Sequence, residues 1–276
     1  MSLTSQGALG TVVSLLRYPL KSMQGEELNA AWLTPRGLLG DRAFALVSAE
    51  DGKVVSAKNP RKWPRMFEFR AGYVEPPRPE RALPPVRITL PDGTTLTTEQ
   101  DDVHEVLSRC LGRAVTLQSV APERPQLEEY WPDMEELDHR DTVTDESMPA
   151  STFFDLAPIH LLSTATLAAL QAACPESRFE VRRFRPNLVI RLDDPRAGFV
   201  ENGWIDRMVA IGDEVRLQIT GPCPRCVMTT LPQADLPADP QILRTAAQQN
   251  QAHVGVYASI MQGGWIRRGD AIRITE

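Results

Sequence analysis

The sequence predicts a mainly β protein with some α, built as two β-barrel-like domains. Three observations lead there. Short apolar runs alternate with turn signals rich in Gly, Pro and Asp from residue 9 to residue 70, and the same texture returns after residue 150. Helical spacing occurs in only three short stretches. A chain of 276 residues, 42% of them hydrophobic, has enough apolar material for two cores of ordinary size. No repeat longer than a hairpin is evident, which argues against a propeller or solenoid.

Taken in order, "GTVVSLLRYP", "NAAWLTPRGLLGD", "RAFALVSAEDGKVVSA" and "MFEFRAGYV" read as strands, with Asp51-Gly52 turning a hairpin. Beyond the proline-rich "VEPPRPERALPP", "VRITLPDGTTLTT" reads as a second hairpin around Asp92-Gly93. "EQDDVHEVLSRCLG" places Val103, Val106 and Leu107 at helical spacing, and Gly112 stops that helix. Residues 121–150 are acidic, carry prolines and sustain no period. They are expected to form a linker or mobile loop between a domain at 1–120 and another at 151–276. "APIHLLSTATLAALQAACPES" reads as a strand and then a helix with a Ser/Thr cap, ended before Pro175. "NLVIRLD", "MVAIGDEVRLQIT" and "GDAIRITE" read as strands, and "ILRTAAQQN" as a short helix.

A net charge of −6 gives no global attraction for nucleic acid or anionic lipid, so neither is expected as a partner and any anion site must be local. No apolar run approaches a membrane span, and "ALGTVVSLL" lacks a basic leader and a small-residue cleavage site, which predicts a cytoplasmic protein. Cys110, Cys174, Cys223 and Cys226 are too few and too unevenly spaced for a disulfide framework. The lysines are Lys21, Lys53, Lys58 and Lys62, which excludes a Schiff-base lysine from the last three quarters of the chain.

Three stretches carry candidate chemistry. In "GPCPRCVMTT", Cys223 and Cys226 lie close, but zinc needs four ligands and His253 is the nearest histidine downstream. A thioredoxin-like pair needs a helix start, and Val227 to Leu231 is β-branched and polar, predicting none. Two inert loop cysteines are the plain alternative. In "RFEVRRFRPNLVIRLD", Arg182, Arg183 and Arg185 crowd ahead of a strand, with Pro186 fixing the backbone and Asn187 offering an amide. Guanidinium forks suit bidentate phosphate binding, and salt bridges to Glu180 and Asp193 are the competing reading. In "LRYPLKSMQG", Lys21-Ser22 lacks the glycine-rich approach of a P-loop, while "LLGDRAFALV" sets Arg42 at a strand entry.

Five blocks stand in register: "YPLKSMQG", "GLLGDRAFALV", "FRPNLVI", "CPRCVMTT" and "VGVYASIMQGGWIRRGDAI". Together they resemble the MOSC proteins, named for the C-terminal domain of molybdenum cofactor sulfurase, and are similar to bacterial relatives of the mitochondrial amidoxime-reducing component. The resemblance runs from about Gly10 to the end. It implies an N-terminal MOSC-associated β-barrel and a MOSC β-barrel domain enclosing a molybdenum-molybdopterin cofactor. It also implies Cys226 as the metal-ligating cysteine, and Lys21, Arg42 and Arg185 as contacts to the pterin phosphate and ring. Ser22 and Asn187 become supporting polar contacts, Ser163 and Thr166 further contacts at the helix cap, and Asp155 of "FFDLAP" a proton relay or water holder near the metal. The chemistry agrees. Molybdenum takes soft thiolates, so one cysteine suffices beside the dithiolene. A phosphate dianion in an acidic protein needs cations gathered locally. Arg225, next to Cys226, is expected to favour the thiolate. Cys223 is either a packed thiol shaping the loop or a sulfur acceptor or resolving thiol. The family is sometimes associated with pyridoxal phosphate, which the lysine positions make a poor fit here.

The chain departs from the family where many relatives carry a Val-Asp-Pro segment and a Thr-Gly turn; here "LPQADLPADPQ" follows the cysteines. No cysteine follows Cys226, so electrons are expected from a separate ferredoxin, flavodoxin or cytochrome-type protein. The implied function is reduction of a small N-hydroxylated or N-oxide type substrate. The alternative is a molybdenum cofactor carrier or sulfur-transfer protein holding a persulfide.

Overall fold

The computed structural model describes residues 8–194 and 198–275. Strand β1 (Gly10–Arg17) is followed by β2 (Glu26–Leu28), β3 (Ala30–Thr34), β4 (Gly37–Leu38) and β5 (Ala45–Ser48). Next come β6 (Arg70–Tyr73), β7 (Val86–Thr89), β8 (Thr95–Thr97), helix α1 (Val103–Leu111) and β9 (Val115–Gln118). Strands β10 (Gln126–Trp131) and β11 (Thr142–Ser147) lead to β12 (Ile159–Ser163), α2 (Thr164–Ala173), α3 (Val181–Phe184) and β13 (Leu188–Leu192). The last elements are β14 (Met208–Ile211), β15 (Val215–Pro224), α4 (Gln241–Asn250), β16 (His253–Gln262), β17 (Gly264–Arg267) and β18 (Ala271–Thr275).

The protein is mainly β, and its centre is a closed seven-stranded barrel. The order β13-β12-β16-β15-β14-β18-β1 is sealed by pairing of β1 with β13, and β2 hangs on β1 as an eighth strand. Only β12 and β13 run parallel; the other barrel neighbours are antiparallel. Alternation fills the interior, as in β15, where Val215, Leu217 and Ile219 all point into the core. In β1 a register shift between Val12 and Ser14 changes the phase, so Val12 and Leu15 both reach that core. The barrel takes β1 from the stretch assigned by sequence to the N-terminal domain, and β17 leaves it to pair with β3. The two sequence segments are thus interleaved at their ends.

A second core gathers Leu20, Met23, Leu46, Trp63, Phe67, Phe69, Val86, Ile88 and Leu107 from the N-terminal segment. Met228, just past the cysteines, inserts into it, and Cys226 packs at its edge. The predicted Asp92-Gly93 hairpin is present as β7 and β8, and Gly112 ends α1 with φ +69°. The Asp51-Gly52 turn forms, but its return arm is a single bridge from Val54 to Val47, because β9 supplies the ladder partner of β5.

Two expectations need correction. Residues 121–150 are not an irregular loop: β10 and β11 form a six-pair antiparallel ladder. Leu127 and Glu129 both turn inward, and a carboxylate on the core-facing side hides the period. Val227–Thr230 does form a helical turn, of the 3-10 kind, with Cys226 as its first flanking residue. Fully buried Arg183 holds the carbonyls of Thr229, Leu231 and Pro237, which satisfies groups that such a short turn leaves open. Among the described residues no helix is long and apolar enough to cross a membrane.

Gly255 in β16 has φ +79°, and a Cβ there would meet His160 Nε2 at 2.4 Å and the Leu161 carbonyl at 2.5 Å. Gly255→Ala is therefore expected to cost about 3 kcal/mol, read as a lowered urea midpoint.

Candidate functional site

A cleft of about 240 Å³ lies where the barrel, the β10–β11 hairpin and the N-terminal core meet. Cys226, Asp155, Arg42, Arg185 and Asn187, all predicted from the sequence, line it together. Lys58, Glu129, His160, Arg225 and Tyr257 line it as well.

Backbone conformation aims several of these side chains. Ser22, Arg42 and Arg185 adopt left-handed φ of 64°, 47° and 53° although none is glycine. Such conformations cost on the order of 1 kcal/mol and persist only where surroundings over-determine them. Here they do. Asp41, 6% exposed, accepts from Tyr18 N at 2.7 Å, from Asn187 Nδ2 at 3.0 Å and from the Arg42 guanidinium. Arg42 and Arg185 both sit over the Tyr18 ring, 4.5 and 4.2 Å from its centroid. Burial pushes the Tyr18 hydroxyl up to about 12, so the ring packs as a neutral phenol.

The charges do not balance. Lys58 pairs with Glu129 at 2.8 Å, Lys21 with Asp155 at 2.5 Å and Arg42 with Asp41. Arg185 and Arg225 have no carboxylate partner among the described residues. Arg185 donates to the Met23 carbonyl at 2.7 Å, and burial pulls it down to about 10, which leaves it cationic at neutral pH. Arg225 donates to Cys223 Sγ at 2.8 Å and to the Phe184 carbonyl at 3.0 Å, while its buried Nε is unpartnered. Two half-satisfied guanidiniums facing one cleft suit an anion with several acceptor oxygens.

Carboxyl and thiol groups respond to that field. Burial raises Asp155, but Lys21, Lys58 and Arg42 outweigh it and hold the carboxyl well below its usual range. Burial, with Glu129 adding to it, pushes the Cys226 thiol up to about 11 against the pull of Lys58 and Arg225. Arg225 does favour the Cys226 thiolate, as expected, but burial outweighs it, and its hydrogen bond goes to Cys223 instead. Cys223 is fully buried, and all four cysteines are free. Among the described residues no group of three or more His, Cys, Asp or Glu side chains is placed to hold a metal ion. A metal on Cys226 would therefore take its other ligands from a cofactor or solvent.

Some predicted residues stand apart. Ser163 and Thr166 are buried against Glu201, whose carboxylate accepts from both hydroxyls at 2.6 and 2.8 Å. They cap α2 and do not line the cleft, because a carboxylate distant in sequence occupies the helix start. Ser22 also stays off the cleft wall: its Oγ accepts from Ala57 N at 3.1 Å and so braces the turn carrying Lys58. Lys21 reaches the cleft only through Asp155, its other contact being the Phe153 carbonyl at 2.9 Å. The arginine cluster divides, with Arg182 paired to Glu180 and Asp235, Arg183 buried among carbonyls, and only Arg185 at the cleft. The unusual "LPQADLPADPQ" segment is tied down through Asp235 and contributes nothing to the cleft wall.

Comparison with known proteins bears on this geometry. Residues 9–123 match the MOSC N-terminal beta barrel domain, and residues 150–273 match the MOSC domain. The chain belongs to the MOSC family. It is 30% identical over 246 residues to human mitochondrial amidoxime-reducing component 1, covering 81% of this chain and 66% of that protein. It is 27% identical over 240 residues to bovine mitochondrial amidoxime reducing component 2, covering 81% and 67%. The chain thus spans about two thirds of the length of these relatives. Among solved structures, the YUAD protein from Bacillus subtilis aligns over 96% of this chain and 94% of its own, at 10% identity and a TM-score of 0.48.

In this MOSC protein the sequence left Lys58, Glu129, His160 and Tyr257 unassigned. Tyr257 lay within the quoted "VGVYASIMQGG" block and Lys58 among only four lysines, both signals in plain view. Glu129 had none.

Two outcomes are expected. Asp41→Asn removes the charge that faces Arg42 and should cost about 3–5 kcal/mol in urea unfolding. His160, donating through Nε2 to the Val254 carbonyl at 3.0 Å, is pulled from 6.5 down to about 3, chiefly by burial. The unfolded chain protonates near 6.5 and the folded one near 3, so this stability is complete above 6.5 and is lost as pH falls towards 3. His160→Gln should flatten that limb in denaturation midpoints followed across the window.

Proposed function

We propose that this protein is a molybdenum-cofactor oxidoreductase that reduces N-hydroxylated or N-oxide type substrates with electrons from an external ferredoxin, flavodoxin or cytochrome-type donor. The observation that carries the reading is the convergence of Arg185 and Arg225, both lacking a carboxylate partner among the described residues, on the same cleft as Cys226. That donor set fits a cofactor with an anionic phosphate at one end and a soft metal at the other.

Cys226 would hold the metal through its sulfur, and Arg185, Arg225, Arg42 and Asn187 would grip the anionic and polar edge. The chemistry the cofactor supplies when bound is two-electron removal of an oxygen atom. Overall the N–O bond breaks with uptake of two electrons and two protons, leaving water and the deoxygenated nitrogen compound, with an N–H in place of N–OH for an N-hydroxylated substrate and a free amine for an N-oxide. Asp155, held ionised by Lys21, Lys58 and Arg42, serves as a fixed hydrogen-bond acceptor that orients water or substrate and does not start as an acid. Tyr257 and neutral His160, edge to face at 6.0 Å, wall off the barrel side from solvent.

Metal analysis of cofactor-replete protein tests this. Stoichiometric molybdenum is expected, lost in Cys226→Ser and kept in Cys223→Ser, with benzamidoxime reduced by an artificial donor. Arg185→Gln should weaken cofactor retention about 10- to 100-fold, the value of a charge-assisted hydrogen bond. Replete protein without molybdenum, or with persulfide on Cys226 in its place, would overturn the reductase in favour of sulfur carriage.

A further inference from the structure

A second cavity, of about 810 Å³, opens beside the charged cleft. Its wall is apolar where the cleft's is charged: Leu38, Leu39, Phe44, Leu83, Ala121 and Phe153 face it. The two spaces have Arg42, Phe154, Leu156 and Ala157 in common. The partition between them is therefore one thickness of chain, residues 153–157, which turns Asp155 to the cleft and Phe153 to the chamber. Lys21 pins it at both the Phe153 carbonyl and the Asp155 carboxylate.

The chamber has a definite chemistry. Leu83 and, on the partition, Leu156 are 38% and 55% exposed, large apolar side chains left uncovered beside a ready-made hollow. The charged groups on the wall are Asp41 paired with Arg42, and Arg36, which has no carboxylate partner among the described residues. An occupant matching both features has a carbon body and a head rich in acceptor lone pairs. The size lies in the range of small-molecule sites.

We propose that this chamber seats the apolar body of the substrate, an aryl or alkyl compound whose N-oxygenated head passes Arg42, Phe154 and Leu156 into the cleft that Cys226 lines. The inference rests on the reductase reading and sharpens it. An N–O oxygen is a strong acceptor, which the Arg42 guanidinium can serve from the boundary of the two spaces. Small hydrophilic N–O compounds would leave the chamber unfilled and gain nothing from it.

Loaded protein assayed with para-alkylbenzamidoximes of increasing tail length provides the test. KM should fall about fourfold per added methylene until the chamber is filled, with kcat little changed. Ala121→Trp fills the chamber and should remove that slope while leaving KM for acetamidoxime as in wild type. Leu83→Arg, at an exposed position where folding is safe, should flatten the slope too. A KM independent of tail length, or substitutions that raise KM for acetamidoxime and the long-tailed compounds alike, would overturn the chamber. Loss of turnover for every amidoxime sinks the reductase reading instead. Calorimetry with para-hexylbenzamide then decides the chamber alone: binding lost in Ala121→Trp supports it, and binding unaffected by that change refutes it.

Discussion

The hydrogen bonds converging on Asp41 hold together the parts from which the cleft is made. Tyr18, just past β1, and Asn187, just ahead of β13, both donate to that one carboxylate, and Arg42 adds its guanidinium. These are the strands whose pairing closes the barrel. Seam and site are thus stabilised by the same buried charge. Asn187 extends the connection by accepting from His160 N at 3.1 Å, which brings in β12. A buried carboxylate is tolerable only with its donors in place, so the geometry around it is all or nothing.

The cleft is built with a deliberate deficit. Three of its cations have carboxylates in reach, counting Lys21 through Asp155, whereas Arg185 and Arg225 lean on carbonyls, a sulfur and aromatic faces. Carbonyl contacts orient a guanidinium without neutralising it. The remaining positive potential, together with left-handed backbone at Arg42 and Arg185, is the pattern of a site that stores unfavourable energy until a ligand relieves it.

What the sequence made legible follows from how local each signal is. The Asp92-Gly93 hairpin, the helix ended by Gly112 and the Ser163 cap depend on residues a few positions apart, and all three stand. The β10–β11 hairpin was lost because Glu129 occupies a core-facing position and is made tolerable by Lys58, 71 positions away. Ser163 and Thr166 misled for a related reason. Their capping pattern is local and real, but the anion they meet is Glu201, 38 residues beyond Ser163, and nothing local distinguishes it from a ligand. Family resemblance brought Cys226, Arg42, Arg185, Asn187 and Asp155 to one place, and it could not say that Lys21 would face Asp155 or Ser22 the turn before Lys58.

The closure of the barrel also sets an order of events during synthesis. Gly10, in the first barrel strand to leave the ribosome, pairs with both Leu192 and Ile272. The C-terminal half of that strand can pair at once with β2, but its N-terminal half must wait for partners about 180 and 260 residues further on. Contacts of such long sequence separation form slowly, and an open apolar edge is exposed to wrong partners meanwhile. The N-terminal core, closed mainly by nearer contacts, can gather first. The cleft takes Asn187 from the seam and Tyr257 from β16, so it can exist only after those distant segments have docked, and any cofactor it takes must be delivered to a folded barrel.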